Sequence, residues 1–287
     1  AEVEGFGEDY ANALKPFVSF VSTALPGQAG SKTSSLEHEA LFRFAVKDDV
    51  YNYGVKYRMD HGDSFGFSSA ARTKYSDKEQ FPPSAWSMSM VYYGKRRPGK
   101  IIVGDFNARF GQGLTLWSGM SLSGLCASSS FSRRPTGLSP SRSWSGIGSH
   151  RGAAIDFMAG RMVFSAFASF PGLRSWCESG KPAEISLMAG ANASLYTRNG
   201  QFSLTGYGMT GSPDMSSTPG AGKLSGDFRY SWRGVDFFGE ASWDFTGKCP
   251  ALVAGVVVPL AEEWKLSSVV HSYPSAFHSD FTGGMRS

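Results

Sequence analysis

Apolar and polar side chains alternate with a period of two along several segments, which predicts β-strands with one apolar and one polar face. In the clearest segment, residues 51–59, tyrosine, valine and methionine alternate with polar residues, charged residues and one glycine. The alternation recurs in residues 227–233, 235–245 and 264–271, with Val269 as an exception. Strands that are apolar on one face and charged on the other suit a membrane barrel with a wet interior. A soluble two-sheet sandwich with an unusually aromatic surface is the alternative.

The segment from Val103 to Trp117 joins the same alternation to a glycine-punctuated turn, Gly111-Gln112-Gly113. One face of residues 104–110 holds Gly104, Phe106, Ala108 and Phe110, and we expect it to meet lipid. The opposite face carries polar side chains that we expect to line the lumen, Asp105, Asn107 and Arg109.

The connections between the predicted strands are alternately short and long. Short ones lie near residues 61–62, 95–100, 160–161, 198–200, 233–234 and 259–262. Outer-membrane barrels have short periplasmic turns and longer external loops, so the first strand, near Leu36, is expected to start on the periplasmic side. The count reaches about thirteen strands by Val270, and single-chain bacterial barrels have an even number. Residues 277–287 lack strand alternation. We therefore expect an all-β, antiparallel up-and-down transmembrane β-barrel of about 14 or more strands whose last part lies outside this sequence.

The composition limits the class of protein. The chain is 41% hydrophobic and only 18% charged, yet it contains no apolar run long enough for a transmembrane helix. No charged-then-apolar leader precedes the strands, which for an exported protein predicts a processed or trimmed sequence. Cys126, Cys177 and Cys249 lack metal-ligand spacing and are expected to be isolated thiols or to form at most one disulfide.

Residues 1–32 form a predicted region that precedes the barrel domain, residues 33–287. Gly5 and Gly7 lie in an apolar-glycine pattern, and a short helix is expected to follow them. This pattern resembles the second half of a helix-hairpin-helix unit, whose backbone amides hold a nucleic-acid phosphate. Three acidic residues within positions 4–9 surround the hairpin with negative charge, which opposes phosphate binding. We therefore expect a small periplasmic cap, with DNA binding as the alternative.

The long connection of residues 111–150 is polar and cationic. Between Asp105 and Asp156 the chain has no acidic residue but has Arg109, Arg133, Arg134, Arg142 and Arg151. In one interpretation the connection folds into the lumen as a constriction or plug, and arginines 133, 134 and 142 meet Asp105, Asp156 or an anionic solute. In the other it stays on the outer surface, solvated or in contact with a neighbouring protein.

The motif Gly104-Asp-Phe-x-x-x-Phe-Gly-Gln-Gly-Leu-x-x-Trp117, with Arg134-Pro135 and Arg151-Gly-Ala-Ala154 downstream, resembles a family of Bacteroidota envelope proteins. Members of this family are described as helix-hairpin-helix domain proteins that join an N-terminal helical region to a predicted outer-membrane barrel. The resemblance is best over residues 104–154. It implies the outer membrane of a Gram-negative bacterium of this type, and it implies no settled activity.

Motifs of enzymatic chemistry are missing from the sequence. The five histidines lie in separate segments, and the chain has no GxSxG, HExxH or phosphate-binding glycine loop. We therefore expect no catalytic residue, no metal and no cofactor. The expected function is that of a non-enzymatic pore, or of a barrel subunit in a larger outer-membrane assembly, with outer-membrane lipid and other envelope proteins as partners. The alternatives from other classes are a DNA-uptake protein that uses the hairpin and an outer-membrane hydrolase.

Overall fold

The structure is a computed structural model that describes a β-sheet and the segments it encloses. The described residues are 36–47, 50–62, 64–73, 83, 85–94, 99–118, 132–144, 148–170, 187–210, 221–260, 264–278 and 281–282. The predicted helical cap with Gly5 and Gly7, and the cysteines Cys126 and Cys177, lie outside them. The cap and the division into two regions therefore stay predictions. Cys249 is a free, buried thiol.

Within the described residues, fourteen strands form one antiparallel sheet. They are β1 (Leu36–Lys47), β2 (Val50–His61), β3 (Phe65–Arg72), β4 (Ala85–Gly94), β5 (Gly99–Arg109), β6 (Gly137–Pro140), β7 (His150–Ala159), β8 (Met162–Ser169), β9 (Leu187–Tyr196), β10 (Gly200–Thr210), β11 (Ala221–Trp232), β12 (Val235–Asp244), β13 (Cys249–Pro259) and β14 (Lys265–Ser272). All strands except β6 pair in chain order, and β6 pairs with β5. This order confirms the predicted all-β, antiparallel up-and-down fold. No helix in the described part of the chain is long and apolar enough to cross a membrane.

The sheet curls round an interior, because the backbone N–H of Gln112, just beyond β5, donates a hydrogen bond to Glu240 on the distant strand β12. The outer face of the strands is apolar and exposed, whereas the inner face is largely polar. On β2, Tyr51 and Val55 are exposed while Asn52 is buried, as the alternation predicted. On β12, the exposed side chains Phe237 and Trp243 likewise alternate with the buried Ser242 and Asp244.

The connections at the edge where β1 starts are all short, as predicted, whereas those at the other edge vary. Most of the latter are longer, but the β1–β2 connection has only two residues, 48–49. Leu36 pairs with His61, so the start of β1 lies beside the β2–β3 turn, as predicted. The two-residue turn between β11 and β12 has φ angles of 50° at Arg233 and 81° at Gly234, the conformation that closes tight hairpins. Among the described strands, β1 pairs with β2 alone and β14 with β13 alone.

We call the curved sheet that surrounds the interior the wall. β5 begins to depart from the wall after Gly104. This glycine has a φ of 100°, and a Cβ atom here would lie 2.3 Å from the carbonyl oxygen of Met88. β5 pairs with β4 only as far as Gly104, opposite Ser89. Beyond that point the short β6 replaces β4 as its partner and pairs residues 137–140 with residues 106–109, while β5 stays paired with β7 as far as Phe106.

The departure of β5 overturns the predicted orientation of its second half. Phe106 and Ala108 are fully buried and Phe110 is nearly so, whereas they were expected to face lipid. They form one interior cluster with Leu116 and Leu138, which come from the connection that follows β5. The prediction was wrong because it assigned the apolar face of residues 104–110 to lipid, whereas this part of the strand turns into the interior.

Candidate functional site in the barrel interior

The long connection between β5 and β7 folds into the interior, and we call its described part, residues 110–118 and 132–144, the inner loop. The loop doubles back beside β5, because the N–H of Ser118 donates to the carbonyl of Ala108 at 2.9 Å. The N–H of Phe110 likewise donates to the carbonyl of Leu116 at 3.0 Å. Leu116 is completely buried. The described part of this connection thus lies inside the sheet and not on its outer surface.

Glu240 on β12 anchors the tip of the inner loop. Its Oε2 atom accepts hydrogen bonds from the backbone N–H groups of Gln112 at 2.7 Å and Leu114 at 3.0 Å. Gly111 has a φ of 58°, and a Cβ atom there would lie 2.6 Å from Oε2 of Glu240, so the close approach requires glycine. The Gly-Gln-Gly turn of the sequence motif is therefore a cradle of backbone amides around a buried carboxylate.

A second contact joins the same loop tip to β12. The hydroxyl groups of Thr115 and Ser242 lie 2.9 Å apart and share a hydrogen bond. Both side chains are buried. The loop tip is thus fixed to the opposite wall by one charged and one neutral contact.

Arg133 braces the loop from within. Its N–H donates to Oε1 of Gln112 at 2.9 Å, and Nε2 of Gln112 donates back to the Arg133 carbonyl at 3.3 Å. Its guanidinium lies 4.9 Å from the centre of the Trp117 ring. Burial lowers the pKa of the Arg133 guanidinium, while the nearby Tyr273 and Glu240 act to raise it. The two halves of the inner loop therefore hold each other in place.

The second half of the inner loop runs along β4. Ser87 donates a side-chain hydrogen bond to the Ser143 carbonyl at 2.6 Å, and Ser89 donates one to the Ser141 carbonyl at 3.1 Å. The ring of Trp144 packs over β2, where a Cβ atom at Gly54 would lie 2.9 Å from it. The loop thus contacts the wall on β2 and β4 as well as on β12, and so crosses the interior.

Asp105 and Arg151 close the wall where β5 leaves it. They are direct partners on β5 and β7, and Nε and Nη2 of Arg151 each donate to a different Asp105 oxygen at 3.0 Å. Both side chains are buried, with 1% of Asp105 and 8% of Arg151 exposed. This is a bidentate ion pair inside the wall.

The same pair satisfies backbone groups of β4 that have no β5 partner. Asp105 Oδ2 accepts the N–H of Met88 at 2.8 Å, and Arg151 Nη2 donates to the Trp86 carbonyl at 3.2 Å. The Arg151 guanidinium also stacks 3.9 Å from the centre of the Trp86 ring. In this part of the wall, side-chain hydrogen bonds thus replace the backbone hydrogen bonds between β4 and β5.

The ion pairs of Asp105 and Asp156 differ from the predicted ones with the loop arginines. Asp105 binds Arg151, and Asp156 binds Lys100 at 2.9 Å. The register explains both, because each acid lies directly opposite its base on β5 and β7. These carboxylates therefore form ion pairs with their cross-strand neighbours.

The other predicted arginines lie at separate places. Arg142 lies 3.8 Å from Asp60 on β2. Arg109 donates from Nε to the Ser118 carbonyl at 2.8 Å. Arg134 is exposed. The charged residues predicted from the sequence therefore form no single cluster. Some form ion pairs between neighbouring strands, and others make contacts within the inner loop or with β2.

Sequence reasoning missed the residues that hold the loop and the wall, namely Glu240, Gln112, Asp60, Lys100 and Trp86. A signal for the β5 departure was present. Ile101 and Val103 are exposed apolar residues, and continuing their alternation places Asp105 on the lipid side. A carboxylate is costly there, so the conflict itself marks the point where the strand turns inward.

The segment after β14, described at residues 273–278 and 281–282, also folds across the interior. Asp244 Oδ2 accepts hydrogen bonds from the N–H of His278 at 2.8 Å and from its ring at 2.9 Å. Lys223 donates to the His278 carbonyl. The N–H of Trp117 donates to the carbonyl of Phe281 at 2.9 Å. This segment therefore joins the inner loop to β11 and β12.

The inner face of β9 to β11 is rich in hydroxyl and amide groups. Asn192 donates to the Thr205 hydroxyl at 2.8 Å, and Ser194 donates to Asn192 at 2.7 Å, while the hydroxyl groups of Ser194 and Ser203 lie 3.0 Å apart. Asp227 on β11 is also buried on this face. Within the described residues, no group of three or more His, Cys, Asp or Glu side chains is arranged to hold a metal ion. The interior chemistry is that of a polar lining and a cationic loop.

Comparison with known proteins finds similarity to solved structures only at low sequence identity. No family model matches the chain, and no curated protein sequence matches it. Solved structures that resemble it include three engineered variants of the porin of Rh. blastica, at 13–14% identity. Each match covers 83% of this chain and 94% of the porin, with a TM-score of 0.32.

Proposed function

We propose that this chain is an integral outer-membrane β-barrel protein that acts as a pore, with the inner loop narrowing its lumen. The observation that carries the proposal is the division between an exposed apolar outer face and a polar inner face. On the outer face, Phe42 is 75% and Phe44 69% exposed. On the inner face, Ser225 and Asp227 are almost completely buried.

The exposed apolar surface is too continuous for a protein surrounded by water. Exposed large apolar side chains occur on nearly every strand from β1 to β14, whereas soluble monomers rarely expose contiguous apolar patches beyond a few hundred Å². Aromatic side chains of the outer face mark both ends of the strands, with Trp232 and Trp264 near the short turns and Trp243 and Phe245 near the opposite edge. Such girdles are typical of barrels that span an outer membrane.

The interior is suited to polar solutes. Lys56 and Arg58 on β2 face inward and are partly exposed, and Arg58 pairs with Asp60 on the same strand. The inner loop contributes further positive charge through Arg133 and Arg142. A loop that crosses a lumen and carries charge selects solutes by size and sign. We therefore expect passage of small polar solutes, with anions favoured over cations at the loop.

The membrane reading predicts unequal tolerance of arginine at neighbouring positions of β2. Val55→Arg places a charge on the outer face near the middle of the strand and is expected to cost about 2–4 kcal/mol of stability in lipid. Lys56→Arg puts the same side chain one residue along, on the inner face, and is expected to have little effect. Urea titration of folded protein in lipid vesicles measures both. Equal tolerance of the two variants contradicts a lipid-facing outer surface.

We also propose that the edge with the short turns faces the periplasm, which places the start of β1 there. A protease site inserted in residues 95–98, between β4 and β5, is then expected to be hidden in intact cells. One inserted beside Asp214, between β10 and β11, is expected to be cut. The reverse pattern of cleavage assigns the opposite orientation.

The subunit alternative and the pore separate by experiment. Channel currents from purified protein in a planar bilayer support the pore. Stoichiometric partners that co-purify in detergent, without currents, support a barrel subunit of a larger assembly. The resemblance to the Bacteroidota family stays an inference from the motif around Gly104, and the DNA-uptake and hydrolase alternatives stay predictions from sequence.

A further inference from the structure

Each short turn from β7 to β14 combines one exposed cation with one exposed apolar side chain. Three of these cations are Arg161, Arg198 and Arg233, and the fourth is Lys265, beside Trp264. The neighbouring apolar residues of the outer face are Met162, Leu195 and Trp232, all exposed. The β13–β14 turn also carries Glu262 and Glu263 in the sequence. We therefore call the three turns with Arg161, Arg198 and Arg233 the cationic rim.

Backbone hydrogen bonds make the cationic rim continuous. The N–H of Tyr196 donates to the Arg161 carbonyl at 2.8 Å, which joins the β7–β8 turn to the end of β9. The N–H of Ser231 donates to the Asn199 carbonyl at 2.7 Å, which joins the β9–β10 turn to the end of β11. Successive turns are two strands apart, so the cations are spaced by roughly 10 Å along the edge.

The rim charges have no acidic partner within the described part of the chain. None of the ion pairs between described residues includes Arg161, Arg198 or Arg233. Arg233 stacks on its neighbour Trp232, with 5.1 Å between the guanidinium and the ring centre. Arg96 and Arg97, in the connection between β4 and β5, add to the positive charge of the short turns in the sequence.

We propose that the cationic rim binds the phosphate groups of lipid headgroups in the adjacent membrane leaflet. Each cation follows or precedes a side chain of the apolar outer face, which places it at the level where hydrocarbon gives way to headgroups. A guanidinium forms paired hydrogen bonds with phosphate, and an aromatic ring beside it is favoured at the same depth. Regularly spaced cations along a lipid-facing edge fit a row of headgroups. This inference rests on the proposed membrane location.

The test uses the full chain reconstituted into phosphatidylcholine vesicles with and without phosphatidylglycerol. Lipid retained by the protein after detergent extraction is measured by mass spectrometry. Because a cation near an anionic membrane surface contributes about 1 kcal/mol, we expect the unchanged protein to retain phosphatidylglycerol at least about fivefold over phosphatidylcholine. The triple variant Arg161→Gln, Arg198→Gln, Arg233→Gln is expected to lose this preference.

The matched control removes three exposed cations away from the rim, through Arg43→Gln, Arg134→Gln and Lys248→Gln. It is expected to keep the preference for phosphatidylglycerol. Equal retention by the rim variant and the control overturns the proposal and leaves the rim as a surface for an acidic protein. Thermal stabilisation by inorganic phosphate as large as that by phosphatidylglycerol assigns the rim to a soluble anion and also overturns it. Failure to insert into either vesicle contradicts the membrane location itself.

Discussion

Replacing Arg151 by alanine is expected to destabilise the barrel by about 3–5 kcal/mol, because Asp105 then remains as a buried charge without its partner. The loss also removes the hydrogen bond to the Trp86 carbonyl, so β4 is left with an unpaired backbone group in the wall. Removing both charges in Asp105→Leu with Arg151→Met is expected to cost less than Arg151→Ala alone. The midpoint of urea unfolding in lipid vesicles measures each variant.

Arg142→Ala is the control for this prediction. Arg142 pairs with Asp60 at 3.8 Å, and 40% of its side chain is exposed. Water screens such a pair, so its loss is expected to cost less than about 1 kcal/mol. A similar loss of stability in Arg142→Ala and Arg151→Ala means that the Asp105–Arg151 pair does not close the wall.

The second large effect is expected on conductance when the anchor of the inner loop is removed. Glu240→Ala takes away the carboxylate that holds the N–H groups of Gln112 and Leu114. The tip of the loop is then free to leave the opposite wall, and the lumen widens. Single-channel currents in planar bilayers are expected to be larger and noisier than those of the unchanged protein. Glu240→Gln retains an acceptor oxygen and is expected to have a smaller effect.

Asp227→Ala provides a matched control for the anchor. Asp227 is the direct partner of Glu240 on β11 and is buried on the same face, so its removal takes away the same charge beside the anchor. It is expected to change ion selectivity without widening the channel. If Glu240→Ala leaves the conductance and its noise unchanged, the inner loop does not constrict the lumen.

The wall of the barrel could be predicted from sequence because the membrane imposes a strict rule on it. A lipid-facing strand must expose apolar residues at every second position, so Val55 on β2 and Phe237 on β12 reveal both the strand and its outer face. Short turns such as Arg233-Gly234 then fix the order of strands. These features depend on neighbours a few residues apart, which a sequence displays directly.

The interior could not be predicted in the same way, because its contacts join residues far apart in the chain. Nothing near Gly111 indicates that its cradle holds Glu240, and nothing near Glu240 indicates a loop that arrives from β5. The motif around the two glycines was recognised in the sequence. It binds Glu240 only because the curled sheet brings β12 close to the loop after β5. The prediction that Phe106 faces lipid was wrong for a related reason. The sequence shows the alternation, but only the fold shows which face of the strand lies in the interior.

The anchors of the inner loop also determine when it can take its place during assembly. Gln112 and Glu240 are 128 residues apart in the chain, and the contact of Trp117 with Phe281 spans a still longer distance. The loop therefore cannot settle until β12 and the segment after β14 have joined the sheet. Contacts of such long range form slowly. The late step in the folding of this barrel is therefore the closing of its interior.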